Sequence, residues 1–335
     1  MPERKGRYTV TLSGRPTIVS YAAVAGKKEG EGPLAACFDS VFEDTTLGEK
    51  TWEKAESALQ REAFSTALNK VGFSPSQIQY LFAGDLLNQN IASTFGLREY
   101  KVPLLGQFGA CSTMAQTLAM AAIFVDSGAA DLCAAVTSSH FCTAERQFRF
   151  PLEYGGQRPQ SSQWTATGSG CAVVGFGGNG VHISEVCVGR VTDLGVTDMN
   201  NMGGAMAPAA ADTLLHFLAD TDTKPSDYDR IFTGDLGAVG SKLLRDLTAR
   251  EGVAIDEVHE DCGLLLYDRK TQDVHAGGSG CGCSAIVLCG HILPKMETGE
   301  WKNVLFIATG ALMSPTSSQQ GESIPGIAHL LHLTV

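Results

Sequence analysis

Two short stretches of this chain are nearly alike although they lie 150 positions apart. Residues 80–86 read Tyr-Leu-Phe-Ala-Gly-Asp-Leu, and residues 230–236 read Arg-Ile-Phe-Thr-Gly-Asp-Leu. Each stretch is followed by a small-residue turn that opens an Ala-rich segment, at residues 109–113 and 280–285. A second β-type run ends 26 residues after Cys111 and 26 residues after Cys283. Repeated spacing of this kind predicts a duplicated unit, so we expect a fold built from two similar halves.

The composition is that of a well-buried globular protein. The 335 residues are 44% hydrophobic and 18% charged, and 38 of them are glycine. A net charge of −11 disfavours nucleic acid as a partner and gives no general attraction to anionic lipid. We therefore expect no nucleic-acid partner.

The ten cysteines lie mostly within apolar or small-residue runs and not in a short, loop-rich chain, so we expect reduced core thiols. The N-terminus leads into a short alternating strand at residues 8–12 in place of an apolar signal core. No uninterrupted apolar run approaches the roughly 18 residues that a membrane span requires. The sequence predicts neither a signal peptide nor a transmembrane segment.

The apolar pattern predicts helices outside and inside the protein. One amphipathic helix begins after Thr51 as N-cap and ends at Gly72, with a counterpart at residues 209–218. Residues 112–127 have almost no polar face, which is typical of a helix in the protein interior. Residues 164–176 and 181–191 read as the two strands of a hairpin with its turn at 177–180. We expect helix and sheet layers around two central helices, divided into residues 1–182 and 183–335.

Two motifs resemble binding sites for a cofactor or a metal. Residues 175–180 match the dinucleotide pattern G-x-G-x-x-G, but a β-type run follows where a helix N-terminus is required, so we interpret them as a turn. Cys281 and Cys283, with His275 and His291, are spaced too closely for a zinc site and fit better in a core helix. The sequence predicts no cofactor and no metal.

Cys111 is the sharpest candidate for function. A thiol at a Gly-Ala turn before a buried helix faces aligned N–H dipoles, which we expect to lower its pKa and to attract anions. The alternative is that a small residue is needed there only for close packing.

Several longer motifs resemble those of a known family. The turn at residues 109–113, the duplication and residues 167–174 are similar to the thiolase-like superfamily, whose condensing enzymes carry a nucleophilic Cys at the position of Cys111. A closer resemblance, to the stage V sporulation protein AD family, runs through residues 84–90, 108–113, 138–149, 153–157, 205–212 and 276–281. The resemblance implies a five-layer αβαβα fold. It also implies a non-catalytic protein that binds dipicolinic acid and supports its uptake into the developing spore.

The resemblance also allows the catalytic residues to be checked. Condensing enzymes need a His and an Asn or a second His beside the Cys, to stabilise an oxyanion and handle a proton. At the expected strand end this chain has Asp235, an anion that would oppose an oxyanion. The second glycine-rich turn offers Ser279, and His275 remains a possible imidazole. We expect a degenerate site with Cys111 as a vestigial nucleophile; the alternative is an acyltransferase that uses Cys111.

Dipicolinate is a flat pyridine with two carboxylates, and Arg suits bidentate contact with carboxylate. Residues 140–158 are rich in Arg, aromatic and amide side chains, and we interpret them as the cap of a pocket. We expect the N-terminus of the helix that follows Cys111 to bind the second carboxylate. The predicted ligand-binding residues are Cys111, His140, Arg146, Gln147, Arg149, Asn88, Gln89 and Ser279. Arg158 belongs to the same cap. The alternative is that these arginines pair with Glu145 and Glu153 at a dimer surface.

The expected partners follow from the resemblance. They are dipicolinic acid, alone or as its calcium chelate, membrane proteins of the same sporulation operon, and a second copy in a homodimer. The expected location is the forespore or spore, peripheral at the inner spore membrane. A third hypothesis is a scaffold with a vestigial pocket that only docks a membrane complex.

Overall fold

A computed structural model describes residues 1–148, 158–177 and 180–335. Its strands are β1 (Pro2–Lys5), β2 (Thr9–Leu12), β3 (Thr17–Gly26), β4 (Ser40–Phe42), β5 (Tyr80–Gly84), β6 (Leu104–Gly106), β7 (Leu132–Ser139), β8 (Trp164–Thr165), β9 (Gly168–Gly175), β10 (Val181–Cys187), β11 (Arg230–Thr233), β12 (His259–Asp261), β13 (Gly278–Ser279), β14 (Asn303–Ala311) and β15 (Gly326–Thr334). Its helices are α1 (Lys27–Gly30), α2 (Trp52–Val71), α3 (Ile91–Leu97), α4 (Thr113–Asp126), α5 (Phe141–Phe148), α6 (Met202–Thr221), α7 (Gly237–Arg250), α8 (Cys262–Leu265), α9 (Cys281–Val287), α10 (Leu293–Glu297) and α11 (Pro315–Gln319).

The predicted duplication is confirmed by the strand order. The first half is ordered β3-β9-β7-β5-β6 and the second β10-β15-β14-β11-β12. In both, the first two neighbouring pairs are antiparallel and the last two are parallel. The two sets join where Val181 and His182 pair with Ile18 and Thr17. The predicted division after residue 182 falls within β10 and stays a prediction.

The helices form layers with the two sheets. Helix α4 contacts β5 and β7 on one side and β14 and β15 on the other, and α9 lies beside it, so both are central. Helix α2 covers β3 and β9, while α6 covers β14 and β15. The resulting order is helix, sheet, helices, sheet, helix, as expected. None of the helices within the described ranges is long and apolar enough to cross a bilayer.

Local signals explain the helices that the sequence predicted. The Thr51 side chain accepts a hydrogen bond from Lys54 N at the start of α2, and Gly72 ends that helix in the left-handed region at φ 69°. Helix α4 runs over Thr113–Asp126, and most of its residues are buried among the strands of both halves. Helix α6 is longer than predicted, because Asn201 caps it eight residues before Ala209.

The predicted hairpin is wrong. Strands β9 and β10 do not pair with each other, because β3 lies between them in the sheet. Both are antiparallel to β3 and therefore run in the same direction. The chain leaves the first half at Gly175 and continues into the second half at Val181, so the glycines around position 177 connect two halves. A strand follows these glycines, which agrees with the interpretation against a dinucleotide site.

All ten cysteines are free thiols, as predicted. Seven are buried, whereas Cys37, Cys111 and Cys142 are partly exposed. Cys281 and Cys283 lie in the core helix α9, where their thiols donate to Ser138 O and Gly234 O. Their position fits the predicted core packing.

Candidate functional site

Cys111 lies on a tight turn between β6 and α4. Ser112 N donates to Gly109 O at 3.0 Å, and Ala110 adopts a positive φ of 50°. The end of β14 packs against this turn at Gly310, where an added Cβ would come within 2.3 Å of Gly109 O. Only glycine fits at position 310, so the second half of the chain buttresses the cysteine of the first.

Four residues from the second half form the floor beside the sulfur. Ser279 Oγ lies 4.0 Å from Cys111 Sγ and donates to Asp235 Oδ2 at 3.0 Å. Gly280 N donates to the same oxygen at 2.8 Å, and Thr309 Oγ1 donates to Asp235 Oδ1 at 2.8 Å. Asp235 is fully buried and its carboxylate accepts from all three groups.

Burial raises the pKa values of both Asp235 and Cys111. Burial is the main cause for Asp235, and it raises the pKa to about 7. The pKa of Cys111 lies well above its ordinary value because the thiol is buried and the Asp235 carboxyl opposes a thiolate. The prediction that helix dipoles lower this pKa is wrong, since desolvation and a nearby carboxyl outweigh them. Cys111 is therefore a thiol at neutral pH.

A cavity of about 510 Å³, counting its open mouth, lies above this floor. Its lining residues come from both halves and are Leu86, Phe108, Ala110, Cys111, Ala144, Glu145, Phe148, Thr165, Met202, Ser279, Ala311 and Met313. Apolar walls with a few polar groups are typical of small-molecule sites. Among the described residues, this lining includes no Lys or Arg.

The structure brings two of the predicted ligand-binding residues, Cys111 and Ser279, together in this cavity. Two more, Gln147 and Asn88, bond to each other at its edge. Gln147 Oε1 accepts from Asn88 N at 3.2 Å, and Gln147 Nε2 donates to Leu86 O at 3.0 Å. Gln89 beside them is exposed. Gln147 thus ties α5 to the loop that follows β5.

His140 and Arg146 lie away from the cavity. His140 is buried, and its ring bonds to Thr45 O at 2.9 Å and to Cys142 N at 3.1 Å. Arg146 forms an ion pair with Glu53 of α2, and its side chain is 59% exposed. Neither side chain lines the cavity, and each is held by a partner elsewhere.

Arg158, another arginine of the predicted cap, and His275 also lie outside the lining of the cavity described above. Arg158 bonds to Asp273 O at 3.0 Å and pairs with Asp273 Oδ2 at 2.9 Å. Arg149, together with Glu153, lies outside the described residues. His275 bonds to Pro159 O at 2.8 Å and does not line the cavity, so it does not supply the imidazole that the sequence left open.

Sequence reasoning missed most of the apolar wall. Phe148 lies in the predicted cap, whereas Phe108 stands next to the selected turn, and its aromatic character was the available signal. Met202 and Met313 gave no signal, because only the folding of distant segments brings them above Cys111. Asp235 was noticed as an obstacle to catalysis, and the structure places it at the floor of the site.

The family described as stage V sporulation protein AD matches residues 6–334. The stage V sporulation protein AD of Bacillus subtilis is 47% identical over 324 residues, which are 97% of this chain and 96% of that protein. Similar solved structures include 3-oxoacyl-[acyl-carrier-protein] synthase III from Aquifex aeolicus, with 13% identity, 96% and 100% coverage of the two chains and a TM-score of 0.58. Cerulenin-bound OleA of Xanthomonas campestris has 11% identity, 96% and 99% coverage and a TM-score of 0.61. At these identities the solved structures show a shared fold.

Proposed function

The chain belongs to the stage V sporulation protein AD family, and from that premise we propose that it binds dipicolinic acid without catalysis and supports uptake of the acid into the developing spore. One observation carries the proposal. The cavity above Cys111 keeps the cysteine of a condensing enzyme, but its partners there are Asp235 and Ser279 in place of an imidazole and an amide.

This floor is poorly suited to acyl transfer. A nucleophilic cysteine needs a lowered pKa or an adjacent base, whereas Cys111 has a raised pKa. The Asp235 carboxylate, when charged, would also repel an oxyanion formed at the sulfur. The same features leave a stable cavity with weak reactivity, which is what a binding protein needs.

The walls suit a flat ring. Phe108 and Phe148 are aromatic, and Met202 and Met313 are adaptable apolar side chains. The polar side chains of the lining are Thr165, Ser279 and the acid Glu145. Ser279 already donates to Asp235, so the Thr165 hydroxyl is the group that would donate to a carboxylate. We propose that Arg149, the residue after Phe148, supplies the bidentate contact to the outer carboxylate.

Equilibrium dialysis with dipicolinate tests the proposal, and the chain offers a matched control. Arg149→Ala should weaken retention by at least about tenfold, since a charged hydrogen bond contributes about 1.5–3 kcal/mol. Arg146→Ala, three positions away and paired with Glu53, should leave retention unchanged. No retention by the folded wild-type protein would remove the proposal, and equal losses in both variants would remove the role of Arg149.

A condensing or acyltransferase activity is the second candidate, because this chain has both the fold of the similar solved structures and a cysteine on the turn at position 111. It predicts a covalent acyl adduct on Cys111 after incubation with acyl-CoA donors. Intact-protein mass spectrometry should show no such adduct if the site is degenerate.

We also propose a homodimer formed through β6, which has no neighbour on its outer side within the described sheet. Phe95, Leu105 and Phe108 are exposed apolar residues near this edge, with exposures of 53%, 43% and 47%. Such an edge is an available template for pairing with a second copy. Since Phe108 also lines the cavity, a dimer would complete its wall.

The cellular setting is part of the proposal. We propose that the protein acts at the inner spore membrane as a peripheral component beside membrane proteins of its operon, and that it takes dipicolinate alone or as the calcium chelate. Support comes from family membership. Fractionation of spores, with the protein recovered in the membrane fraction and released by salt, tests the location.

A further inference from the structure

A second pocket lies on the other side of β8 from the Cys111 cavity. It encloses about 600 Å³, counting its open mouth, and the residues that matter here are Lys28, Glu29, Thr45, Phe141, Cys142 and Trp164. Successive side chains of a strand point to opposite faces, so Thr165 lines the first cavity while Trp164 lines the second pocket. The two sites share one wall and have separate linings.

The pocket contains a cation without a carboxylate partner. Lys28 Nζ lies 3.9 Å from the centroid of the Trp164 ring, and among the described residues no carboxylate forms an ion pair with it. Its neighbour Lys27 pairs with Glu43 at 3.4 Å, and Arg158 pairs with Asp273 at 2.9 Å. Lys28 is therefore the positive group left available in this pocket.

The wall behind Lys28 is a pair of stacked aromatic rings. Phe141 stacks on Trp164 with ring centroids 3.7 Å apart and an interplanar angle of 9°. A cation held over a ring in a partly desolvated pocket is favoured by the ring quadrupole and remains able to contact an anion. Burial lowers the pKa of Lys28, so a bound anion would also stabilise its charged form.

A buried acid in the same wall has an unused oxygen. Glu29 is 1% exposed; its Oε1 accepts from Thr167 N at 3.0 Å and from the Tyr267 hydroxyl. Its Oε2 has no hydrogen-bond partner. Because burial raises the pKa of Glu29, the group stays uncharged to a higher pH than usual and opposes a nearby anion less than an ordinary glutamate would. Glu31, the other acid of the pocket, is exposed to solvent.

We infer that the pocket formed by Lys28, Glu29, Thr45, Phe141 and Trp164 is a second ligand site that takes a small organic carboxylate. The Lys28 ammonium meets the carboxylate, the Thr45 hydroxyl donates to it, and the aromatic wall covers its apolar part. A lone charge would suit phosphate equally well, and the aromatic wall is what favours an organic anion.

Cys142 lines this pocket and gives a local readout. The wild-type protein is alkylated with N-ethylmaleimide with and without benzoate, and the modified peptides are quantified by mass spectrometry. Benzoate should slow alkylation of Cys142 by about tenfold at about ten times its Kd, and should leave the partly exposed Cys37 unaffected. Binding at the first cavity is read separately at Cys111, so failure of one site is distinguishable from failure of the other.

Variants make the assignment specific. Lys28→Gln should abolish the protection of Cys142, Lys28→Arg should retain it, and Lys50→Gln, which removes an exposed lysine outside the pocket, should leave it unchanged. A circular dichroism spectrum like that of the wild type excludes misfolding of Lys28→Gln. The Lys28→Arg variant keeps the positive charge and therefore tests the role of that charge independently. Absence of protection in the wild type, equal protection in Lys28→Gln, or equal protection by inorganic phosphate would overturn the inference.

Discussion

The Ser279 hydroxyl donates a 3.0 Å hydrogen bond to Asp235 Oδ2 while lying 4.0 Å from the Cys111 sulfur. Both residues reach the sulfur from the second half of the chain. Their contact fills the space beside the thiol with a carboxylate and a hydroxyl, and it fixes the electrostatics of the whole cavity floor.

Removal of the Asp235 charge should activate Cys111. In Asp235→Asn the coulombic opposition to a thiolate is absent, so the pKa of Cys111 should fall, and its alkylation rate at neutral pH should rise by about tenfold for each unit of that fall. Iodoacetamide labelling of Cys111 measures the rate. Asp222→Asn, a change in a surface turn, is the control. An unchanged or slower rate in Asp235→Asn would show that burial alone controls the thiol.

Binding of dipicolinate should weaken as pH rises through neutrality. Asp235 has a pKa of about 7, so it is mostly protonated below that pH and mostly an anion above it. An anionic floor opposes a dianionic ligand, and Kd should increase by up to about tenfold per pH unit above about pH 7. Calorimetric titrations across this range measure the slope. A profile in Asp235→Asn as steep as that of the wild type would contradict the assignment.

Stability should fall as pH rises, because of Glu56. Burial is the main cause that raises its pKa from 4.5 to about 8, with the charge of Asp85 as a second cause. Between these values the folded state binds more protons than the unfolded state, so the free energy of unfolding decreases as pH increases through that window. Melting temperatures measured across it should decline, and Glu56→Gln should flatten the decline. Glu62→Gln, on the more exposed side of α2, is the control, and an equal flattening there would contradict the prediction.

A larger side chain at Ala144 should block the first cavity. Ala144 is 4% exposed and lines the cavity, so the ring in Ala144→Phe should occupy the space of the ligand and reduce dipicolinate binding by more than about tenfold. Ala129→Phe, at an exposed position before β7, is the control. Unimpaired binding in a folded Ala144→Phe protein would place the ligand elsewhere.

A charge on the β6 edge should separate the proposed dimer. Leu105 is 43% exposed on this strand, and in Leu105→Asp a charge would have to be buried against the second copy. Sedimentation velocity should then show a monomer, whereas Leu194→Asp, at an exposed apolar position far along the chain, should leave the dimer intact. A wild-type monomer at all concentrations would contradict the proposal.

The sequence predicted the elements whose signals are local or repeated. The cap at Thr51, the stop at Gly72 and the apolar helix after Cys111 depend on neighbouring residues, and the two strand orders follow the repeat. The false hairpin arose because the two strands are close in sequence, whereas the strand that separates them comes from residues 17–26.

The site was harder to predict because its chemistry depends on long-range contacts. The pKa of Cys111 is raised by burial and by a carboxyl 124 positions away in the sequence, and no local pattern reports either cause. Arg146 forms an ion pair with Glu53 on another helix, so an arginine-rich segment did not by itself define a ligand contact. Cys111 and Ser279 were found because each lies at a repeated glycine-rich turn.

Diffraction from crystals grown with dipicolinate tests the central claim most directly. The account predicts electron density for one flat ring in the cavity lined by Phe108, Phe148 and Met202, with a carboxylate within hydrogen-bonding distance of Thr165 and an unmodified Cys111 sulfur. An empty cavity in crystals that hold the ligand elsewhere, or a covalent bond to that sulfur, would contradict it.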